Sequence, residues 1–396
     1  MKIALYFVNE GKEAGGTFAL AEEVINYIKN TKYEKFEFLL LVETPNKVDY
    51  PILKKNNFKK IIKIKRGRFR SYFENIYQNV NIINQNFNYF STIDKICLNE
   101  KVDFVWFLDM TFDRLTDFPY AMTVLDLEHL KQSYFSEWGS KKNWYNRNNN
   151  LENFLKKSLF IMTGTKIGKK EIKDFYGVAD EKIYINPHPT PEKYKDADNK
   201  KNNIINIINK KKFFFYPSNF WAHKNHKNAI IAMKIFLEKN DANLFFVGSK
   251  NKNQKKLENF IKKMNLEKSI HFLGFVSNDD MLQLYKRAEF LLYPSWGGPE
   301  NLPPLEAFSL GCPVIANSIP GAIEQLGDNA LLIDCSDPNI IAYHMNKLFN
   351  DIKLREELIK KGCARAEQWK IDNYVKKYLD IFDKYLKKYN FNFYDE

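Results

Sequence analysis

The stretch Leu291–Pro320, LLYPSWGGPENLPPLEAFSLGCPVIANSIP, decides the fold class. Its apolar start predicts a buried strand. The prolines Pro303 and Pro304 suit the first turn of a helix, where backbone N–H groups have no intrahelical partner. Gly311 ends this predicted helix, and Cys312–Ala316 predicts the next buried strand. Strand, glycine-rich loop, helix and strand in this order indicate an α/β protein.

The beginning of this helix predicts a phosphate site. A helix N-terminus presents unpaired N–H groups and a partial positive charge, which together suit a phosphate. Asn301, Leu302 and Pro303 are the residues expected to lie nearest to it. Glu306 stands one turn inside the helix and is placed to accept two hydroxyls of an attached ribose.

Residues Gly298 to Ala316 resemble the nucleotide-sugar motif of retaining GT-B glycosyltransferases of family 4, also called glycosyltransferase group 1. That motif has the form Glu-x7-Glu and ends in Leu-Pro-x-x-Glu-Ala, which Leu302–Ala307 matches closely. Its first Glu falls on Gly298, as in a sub-group with a degenerate first Glu, and Glu300 is the candidate to replace it. The resemblance implies two Rossmann-like domains whose parallel sheets face each other across a cleft.

The bulk composition is that of a folded protein with two domains. The chain has 396 residues, of which 44% are hydrophobic and 28% are charged. A membrane helix needs about 18 apolar residues in a row, and the sequence has no such run. The start, MKIALYFVN, is typical of a strand and not of a signal peptide. The four cysteines show no metal-binding spacing, so we expect free thiols and a cytoplasmic location.

The net charge of +13 has three interpretations. It is explained by a lysine-rich solvated surface, by attraction to an anionic membrane or substrate, or by binding to nucleic acid. No nucleic-acid-binding module is visible, so no nucleic-acid partner is predicted. The basic stretch Lys54–Arg70 is interpreted either as a strand flanked by solvated lysines or as a surface that rests on the inner face of the membrane.

The first strand and the loop after it predict a second contact to a diphosphate. Ile3–Val8 is nearly all apolar, and the loop that follows ends in Gly15 and Gly16 before an amphipathic helix. Glycines let the backbone approach a diphosphate closely, although many α/β proteins carry such a turn without a ligand. The turn resembles the N-domain loop that faces the donor phosphates in the family.

The predicted strand Ala121–Leu125 leads into catalytic candidates. In the family a strand at this place ends in a catalytic-site His, but here that position is Leu125. The sequence Asp126-Leu-Glu-His129 resembles a sub-group with Asp-Leu-x-His, which makes His129 and Asp126 the candidates. The alternative is that His129 is a hydrogen-bonded structural residue.

A second strand, loop and helix begin at Phe213 and predict the donor-phosphate contact. Lys224 lies five residues after Asn219, and the family has Arg where Asn219 stands. A lysine near a helix start is a point-charge partner for a diphosphate. The alternative is a surface lysine in a lysine-rich protein. Phe275 lies in the loop that in this family contacts the base.

The resemblance also predicts the domain boundaries. Residues 1–195 form the N-terminal acceptor domain, and residues 196–373 form the C-terminal nucleotide-sugar domain. The helix 374–390, with its aromatic stripe, is expected to pack back on the N-terminal domain.

The implied activity is transfer of a hexosyl group, with retention, from a nucleotide-diphosphate sugar to a surface-glycan or lipid-linked saccharide acceptor. No Asp-x-Asp motif argues for a divalent ion, so neither a metal nor another cofactor is expected. The alternative is a non-catalytic nucleotide-sugar or glycan binder, because Leu125, Asn219 and Gly298 each replace a residue that the family uses.

Overall fold

Strands and helices alternate along most of the chain in the computed structural model. The structure describes residues 1–8, 15–44, 58, 60–65, 91–108, 110, 116–192, 194, 204–208 and 211–389. Most of the basic stretch Lys54–Arg70 and the loop before Gly15 therefore lie outside the described residues.

Most strands of the described residues are short and rich in apolar residues. They are β1 (Lys2–Val8), β2 (Glu37–Thr44), β3 (Lys60–Lys65), β4 (Phe104–Phe107), β5 (Tyr120–Thr123), β6 (Phe160–Thr163), β7 (Ile183–Ile185), β8 (Phe213–Pro217), β9 (Asn243–Val247), β10 (Ile270–Gly274), β11 (Leu291–Tyr293), β12 (Val314–Asn317) and β13 (Leu331–Ile333).

The helices connect these strands, and within the described residues three 3₁₀ turns accompany them. The helices are α1 (Gly16–Asn30), α2 (Thr92–Glu100), α3 (Glu128–Lys131), α4 (Ser136–Gly139), α5 (Lys141–Lys157), α6 (Lys166–Tyr176), α7 (Ile205–Ile208), α8 (His226–Phe236), α9 (Lys252–Lys263), α10 (Asn278–Arg287), α11 (Leu302–Ser309), α12 (Pro320–Leu326), α13 (Pro338–Asn350), α14 (Ile352–Gln368) and α15 (Ile371–Tyr389). The 3₁₀ turns are Asp180–Lys182, Ala222–Lys224 and Gly327–Asn329.

The strands form two separate parallel sheets. The first has the order β3-β2-β1-β4-β5-β6-β7, and the second has the order β10-β9-β8-β11-β12-β13. Every strand pair within the described part of the chain is parallel. Strands such as β1 and β8 are buried almost throughout, as expected for parallel strands covered on both faces. The predicted α/β class with two Rossmann-like parallel sheets is confirmed.

The chain divides into two compact units, one around each sheet. Unit 1 comprises Met1–Leu127, Lys141–Asn186 and Ile371–Glu396. Unit 2 comprises Glu128–Ser140 and Pro187–Lys370.

This grouping differs from the predicted domains in three places. The predicted C-terminal domain ends at residue 373, but residues 371–373 belong to unit 1. Residues 128–140 belong to unit 2, where the side chains of Gln132 and Glu137 form hydrogen bonds with its loops. Residues 187–195 also belong to unit 2. There, the N–H of Thr190 donates to the carbonyl of Trp369 at 2.7 Å, and its hydroxyl donates to the carbonyl of Ala366 at 3.0 Å.

The order of strands in the second sheet positions the candidate site. From β8 the sheet continues to β9 and β10 on one side, whereas from β11 it continues to β12 and β13 on the other. In open α/β sheets, ligands bind outside the carboxyl ends of the strands at such a switch point. The loops that follow β8 and β11, which carry Lys224 and Glu300, therefore start side by side.

Helix α15 completes the core of unit 1. Tyr378 is fully buried and stacks on Trp106, with ring centroids 4.1 Å apart and an angle of 25° between the planes. Its hydroxyl forms a hydrogen bond with the hydroxyl of Thr123 in β5. Phe382, one turn later, packs on Phe104 at 5.1 Å. The aromatic stripe of α15 is thus packing for the first sheet.

Within the described residues, none of the helices combines the length and the apolar character that a membrane crossing requires.

Replacement of Tyr378 should destabilise unit 1. Loss of a fully buried aromatic side chain costs about 3–5 kcal/mol, so Tyr378→Ala should unfold at a much lower denaturant concentration. Tyr378→Phe removes one buried hydrogen bond and should cost about 1 kcal/mol. Tyr343→Ala in α13 is the control, because that side chain is 65% exposed. Equal stability of the Tyr378→Ala and Tyr343→Ala variants would contradict the role of α15.

Candidate active site

The turn that carries Lys224 is held by the residue after it. Asn225 has a φ of 58° and lies between the 3₁₀ turn and α8. Its side-chain amide donates to the carbonyl of Pro294 at 3.1 Å and to that of Cys335 at 2.9 Å. One buried amide thus ties the loop after β8 to the chain segments that follow β11 and β13.

Tyr293, the last residue of β11, brings Lys224 and Asn301 together. The ammonium group of Lys224 donates to the hydroxyl of Tyr293 at 3.2 Å and lies 5.4 Å from the centroid of its ring. The same hydroxyl donates to the side-chain oxygen of Asn301 at 2.9 Å. Two residues that the sequence predicted separately therefore share one hydrogen-bonded cluster, whose central residue the sequence did not predict.

Gln325 fixes the backbone at the start of α11. Its side-chain oxygen accepts the N–H of Asn301 at 3.0 Å, and its side-chain amide donates to the carbonyl of Asn301 at 3.1 Å. Gln325 is only 1% exposed. The prediction missed it, although a polar residue beside buried Ala322 and Leu326 on a short helix is a detectable signal.

The start of α11 offers fewer donors than the predicted helix terminus. Pro303 and Pro304 have no N–H, and the N–H of Asn301 is engaged by Gln325. In this first turn, the N–H of Leu302 is therefore the donor that remains for a phosphate. Pro303 can line such a site but cannot donate to a phosphate oxygen.

The carboxylate of Glu306 is buried and oriented by two tyrosines. It is 4% exposed, and its Oε2 atom accepts hydroxyl protons from Tyr194 at 2.9 Å and from Tyr285 at 2.7 Å. Burial, with the adjacent carboxylate of Glu306, raises the pKa of Tyr285 well above its usual value, so this phenol stays a donor. Neither tyrosine was predicted, because both are distant from Glu306 in sequence.

Glu300 lies in a buried pair with His188. The backbone N–H of His188 donates to one carboxyl oxygen at 2.8 Å, and the imidazole Nε2 lies 3.5 Å from the other. Burial raises the pKa of Glu300 to about 8, with a further contribution from Glu324. Burial also lowers the pKa of His188 to about 4. At neutral pH both groups are therefore uncharged, and Glu300 is a carboxylic acid.

Gly298 occupies the position of the missing first Glu of the motif. Its φ of +90° favours glycine, and an added Cβ would lie 3.0 Å from the side-chain oxygen of Asn301. Its N–H faces the buried carboxylate of Glu128 at 3.4 Å, and the amide of Asn301 donates to its carbonyl at 2.9 Å. The local backbone explains why a larger residue is disfavoured here.

The other predicted residues lie in separate places. Asp126, in unit 1, accepts a hydrogen bond from the guanidinium of Arg147 at 2.7 Å. His129, in unit 2, is fully buried on the short helix α3. Phe275 is 63% exposed, just beyond β10.

Gly15 and Gly16 begin α1 in unit 1. Gly15 has a φ of 81°, a conformation that suits glycine. No group of three or more histidine, cysteine, aspartate or glutamate side chains that could hold a metal ion occurs in the described part of the chain.

The buried acid Glu300 should make stability depend on pH. Between about pH 6.5 and 8, Glu300 is protonated in the folded state and ionised in the unfolded state. His188 is neutral in the folded state throughout this range, but near pH 6.5 about half of it is protonated in the unfolded state, which partly offsets the effect of Glu300 there. The folded state binds more protons, so the free energy of unfolding should fall as pH rises, by at most roughly 2 kcal/mol.

Glu300→Gln should abolish this fall, because an amide does not titrate. Urea unfolding of both proteins at pH 6.5 and at pH 8 measures the difference. Parallel changes in the wild type and the variant would contradict a protonated Glu300.

Part of unit 2 matches the model of a known protein family. Residues 197–365 match the model of the family described as Glycosyl transferases group 1. The matched segment contains Lys224, Asn301, Glu306 and Gln325.

Two curated relatives carry glycosyltransferase names. The chain is 25% identical over 233 residues to an uncharacterized glycosyltransferase of Methanocaldococcus jannaschii, covering 56% of this chain and 59% of that protein. It is 35% identical over 104 residues to the O-antigen chain mannosyltransferase B of Escherichia coli, covering 26% of this chain and 27% of that protein. The alignments thus span 59% or less of these relatives.

Solved structures match nearly the whole chain. Sucrose-phosphate synthase from Thermosynechococcus elongatus has a TM-score of 0.74 at 15% identity, covering 98% of this chain and 99% of that one. HepE from Anabaena, in complex with UDP-glucose, has a TM-score of 0.70 at 14% identity, covering 97% and 100%. At this identity the likeness establishes the fold. The chain has the α/β fold of GT-B glycosyltransferases, and its residues 197–365 match the glycosyl transferases group 1 family.

Proposed function

We propose that the protein is a retaining glycosyltransferase of family 4 type that moves a hexosyl group from a nucleotide-diphosphate sugar to a surface-glycan or lipid-linked saccharide acceptor. The observation that carries this proposal is the cluster of Lys224, Tyr293 and Asn301 at the switch point of the second sheet. It places a cation beside the start of the helix that carries Glu306.

The cluster suits the charge that develops when a nucleoside diphosphate leaves. As the bond between the sugar and the diphosphate breaks, negative charge grows on the phosphate oxygens. Lys224 would stabilise it as a point charge, and the N–H of Leu302 would donate a hydrogen bond. Tyr293 and Asn301 would hold the lysine in position before the reaction.

Glu306 would bind the ribose of the donor. Hydroxyls of Tyr194 and Tyr285 orient the carboxylate, so that little motion is lost when ribose hydroxyls bind. No metal or other cofactor is part of this proposal.

The remaining predicted residues complete the proposed site. Glu300, as a buried carboxylic acid, would contact the donor sugar. Asp126 and His129 are the candidates on the acceptor side, and Gly15 with Gly16 would approach the diphosphate. Retention follows from the resemblance of Leu302–Ala307 to the family motif.

The substrate class rests on the named relatives. One is named an O-antigen chain mannosyltransferase, and one structural neighbour was crystallised with UDP-glucose. Both names support a hexose donor and an acceptor in glycan synthesis. We also propose that the protein is cytoplasmic and contacts the inner face of the membrane.

The second candidate is a non-catalytic nucleotide-sugar or glycan binder. It is favoured by Leu125, Asn219 and Gly298, which replace residues of the family pattern. Both candidates bind the donor, and only the transferase breaks the bond between the sugar and the phosphate. Incubation with UDP-, GDP-, ADP- and TDP-hexoses separates them, because a transferase hydrolyses its donor slowly without an acceptor. Donor binding without hydrolysis or transfer would favour the binder.

Variants at two residues should test the site. Lys224→Ala should lower turnover roughly 100-fold, because it removes charge stabilisation in the transition state. Glu306→Gln should raise the KM for the donor roughly tenfold, because it weakens the hydrogen bonds to ribose. Steady-state transfer with the donor found by the screen measures both.

The matched controls are Lys227→Ala, three residues further along the chain, and Glu356→Gln at an exposed position of helix α14. Both should behave like the wild type. Normal kinetics of the Lys224 and Glu306 variants would refute the proposed site.

Membrane contact is a separate part of the proposal and has its own test. The net charge of +13 and the stretch Lys54–Arg70 should make the protein float with vesicles that contain anionic lipid. Replacement of the lysines and arginines of this stretch by glutamine should reduce flotation. Neutral vesicles are the control. Equal, negligible binding to both kinds of vesicle would end this part of the proposal.

A further inference from the structure

Residues 128–140 lie in the sequence between β5 and α5 of unit 1 but form part of unit 2. We call them the connecting segment. It contains the short helices α3 and α4. Its side chains contact two loops of unit 2, the turn Ala222–Lys224 and the loop around Trp296.

Glu137 holds the residue immediately before Lys224. One carboxylate oxygen of Glu137 accepts the backbone N–H of His223 at 3.0 Å and lies 2.7 Å from the Nδ1 atom of its imidazole. Both side chains are less than 10% exposed. Trp138 stacks on the same imidazole, with centroids 4.1 Å apart and 25° between the planes. Three contacts therefore fix His223. Glu137 binds its backbone N–H and its imidazole nitrogen, and Trp138 stacks on the face of its ring.

The side chain of Glu137 is held as an ionised carboxylate. Burial on its own would raise the pKa of Glu137, but the hydrogen bonds from the backbone and the imidazole of His223 outweigh it, and the pKa is lowered. A buried anion with two donors on one neighbouring residue is a stronger anchor than a neutral pair.

The connecting segment also contacts the loop around Trp296. Phe135 stacks on Trp296 at 5.7 Å, and the side-chain amide of Gln132 donates to the carbonyl of Trp296 at 2.8 Å. Trp138 packs so closely on Gly297 that a Cβ there would lie 2.3 Å from its ring. The N–H of Trp296 donates to the carbonyl of His223 at 2.8 Å, which links the two loops.

We propose that Glu137 is a positioning residue, which acts through His223 to hold Lys224 where the donor diphosphate binds. This inference rests on the proposed function, because it assigns Glu137 a role in that reaction. His223 and Lys224 are consecutive in one 3₁₀ turn, so displacement of the first moves the second. The group that stabilises the leaving diphosphate is thus anchored by a segment that the chain supplies between two elements of unit 1.

A double-mutant cycle tests this role. Glu137→Ala should lower kcat roughly tenfold, with a smaller change in the KM for the donor, because misplacement of a charge-stabilising group acts mainly on the transition state. In the Lys224→Ala background the same change should cost less than about twofold, because there is no lysine left to position. Glu137→Gln keeps an oxygen that accepts both hydrogen bonds and should recover most of kcat.

A purely structural role predicts a different result. It would lower kcat by the same factor in both backgrounds, and such additivity would overturn the inference. Glu152→Ala, at an exposed position of α5, is the matched control and should leave kcat unchanged. If thermal melts show that Glu137→Ala is not folded, His223→Ala replaces it in the cycle, and additivity there overturns the inference in the same way.

The cycle separates this inference from the proposed function. Absence of transfer in the wild type, or normal turnover of Lys224→Ala, would defeat the proposed function itself. An impaired Lys224→Ala variant together with normal kcat in Glu137→Ala would defeat only the positioning role.

Discussion

The candidate site depends on one buried side-chain amide. Asn225 donates to the carbonyls of Pro294 and Cys335, and so joins the loop after β8 to chain segments that follow β11 and β13. These three strands belong to both halves of the sheet around its switch point. Buried carbonyls need a donor, and loss of this amide would remove one from the carbonyl of Pro294, whereas the carbonyl of Cys335 would keep the amide of Asn228 at 3.0 Å.

Neutral side chains form the hydrogen bonds that orient Glu306 and the start of its helix. Glu306 is oriented by two phenols, and the start of its helix is fixed by the carboxamide of Gln325. Neutral partners need no counter-ion of their own. An anionic counter-ion here would compete with an anionic donor for Lys224. A buried charge is costly unless it is hydrogen-bonded, and these contacts meet that cost without additional net charge.

The sequence predicted the sheets and the helix of Glu306 well, because buried parallel strands and a proline-started helix have local signatures. It did not predict Tyr194, Tyr285 or Gln325, because each reaches the site from another part of the chain. It also predicted a helix start rich in N–H groups, whereas Pro303 supplies none. A residue's own motif therefore indicates where it lies, but the partners that orient it follow only from the tertiary structure.

Under the proposed function, the departures from the family motif would make the position of Lys224 more important than the number of cations. Asn219 stands where the family has Arg, so the loop after β8 offers Lys224 in place of two cations. The energy between two charges falls with their distance, and a single cation has no neighbour to compensate for a displacement. The turn of Lys224 is held on one side by Asn225 and on the other by Glu137 through His223. In the proposed reaction, rigid placement of one lysine would then compensate for the absence of the second positive charge.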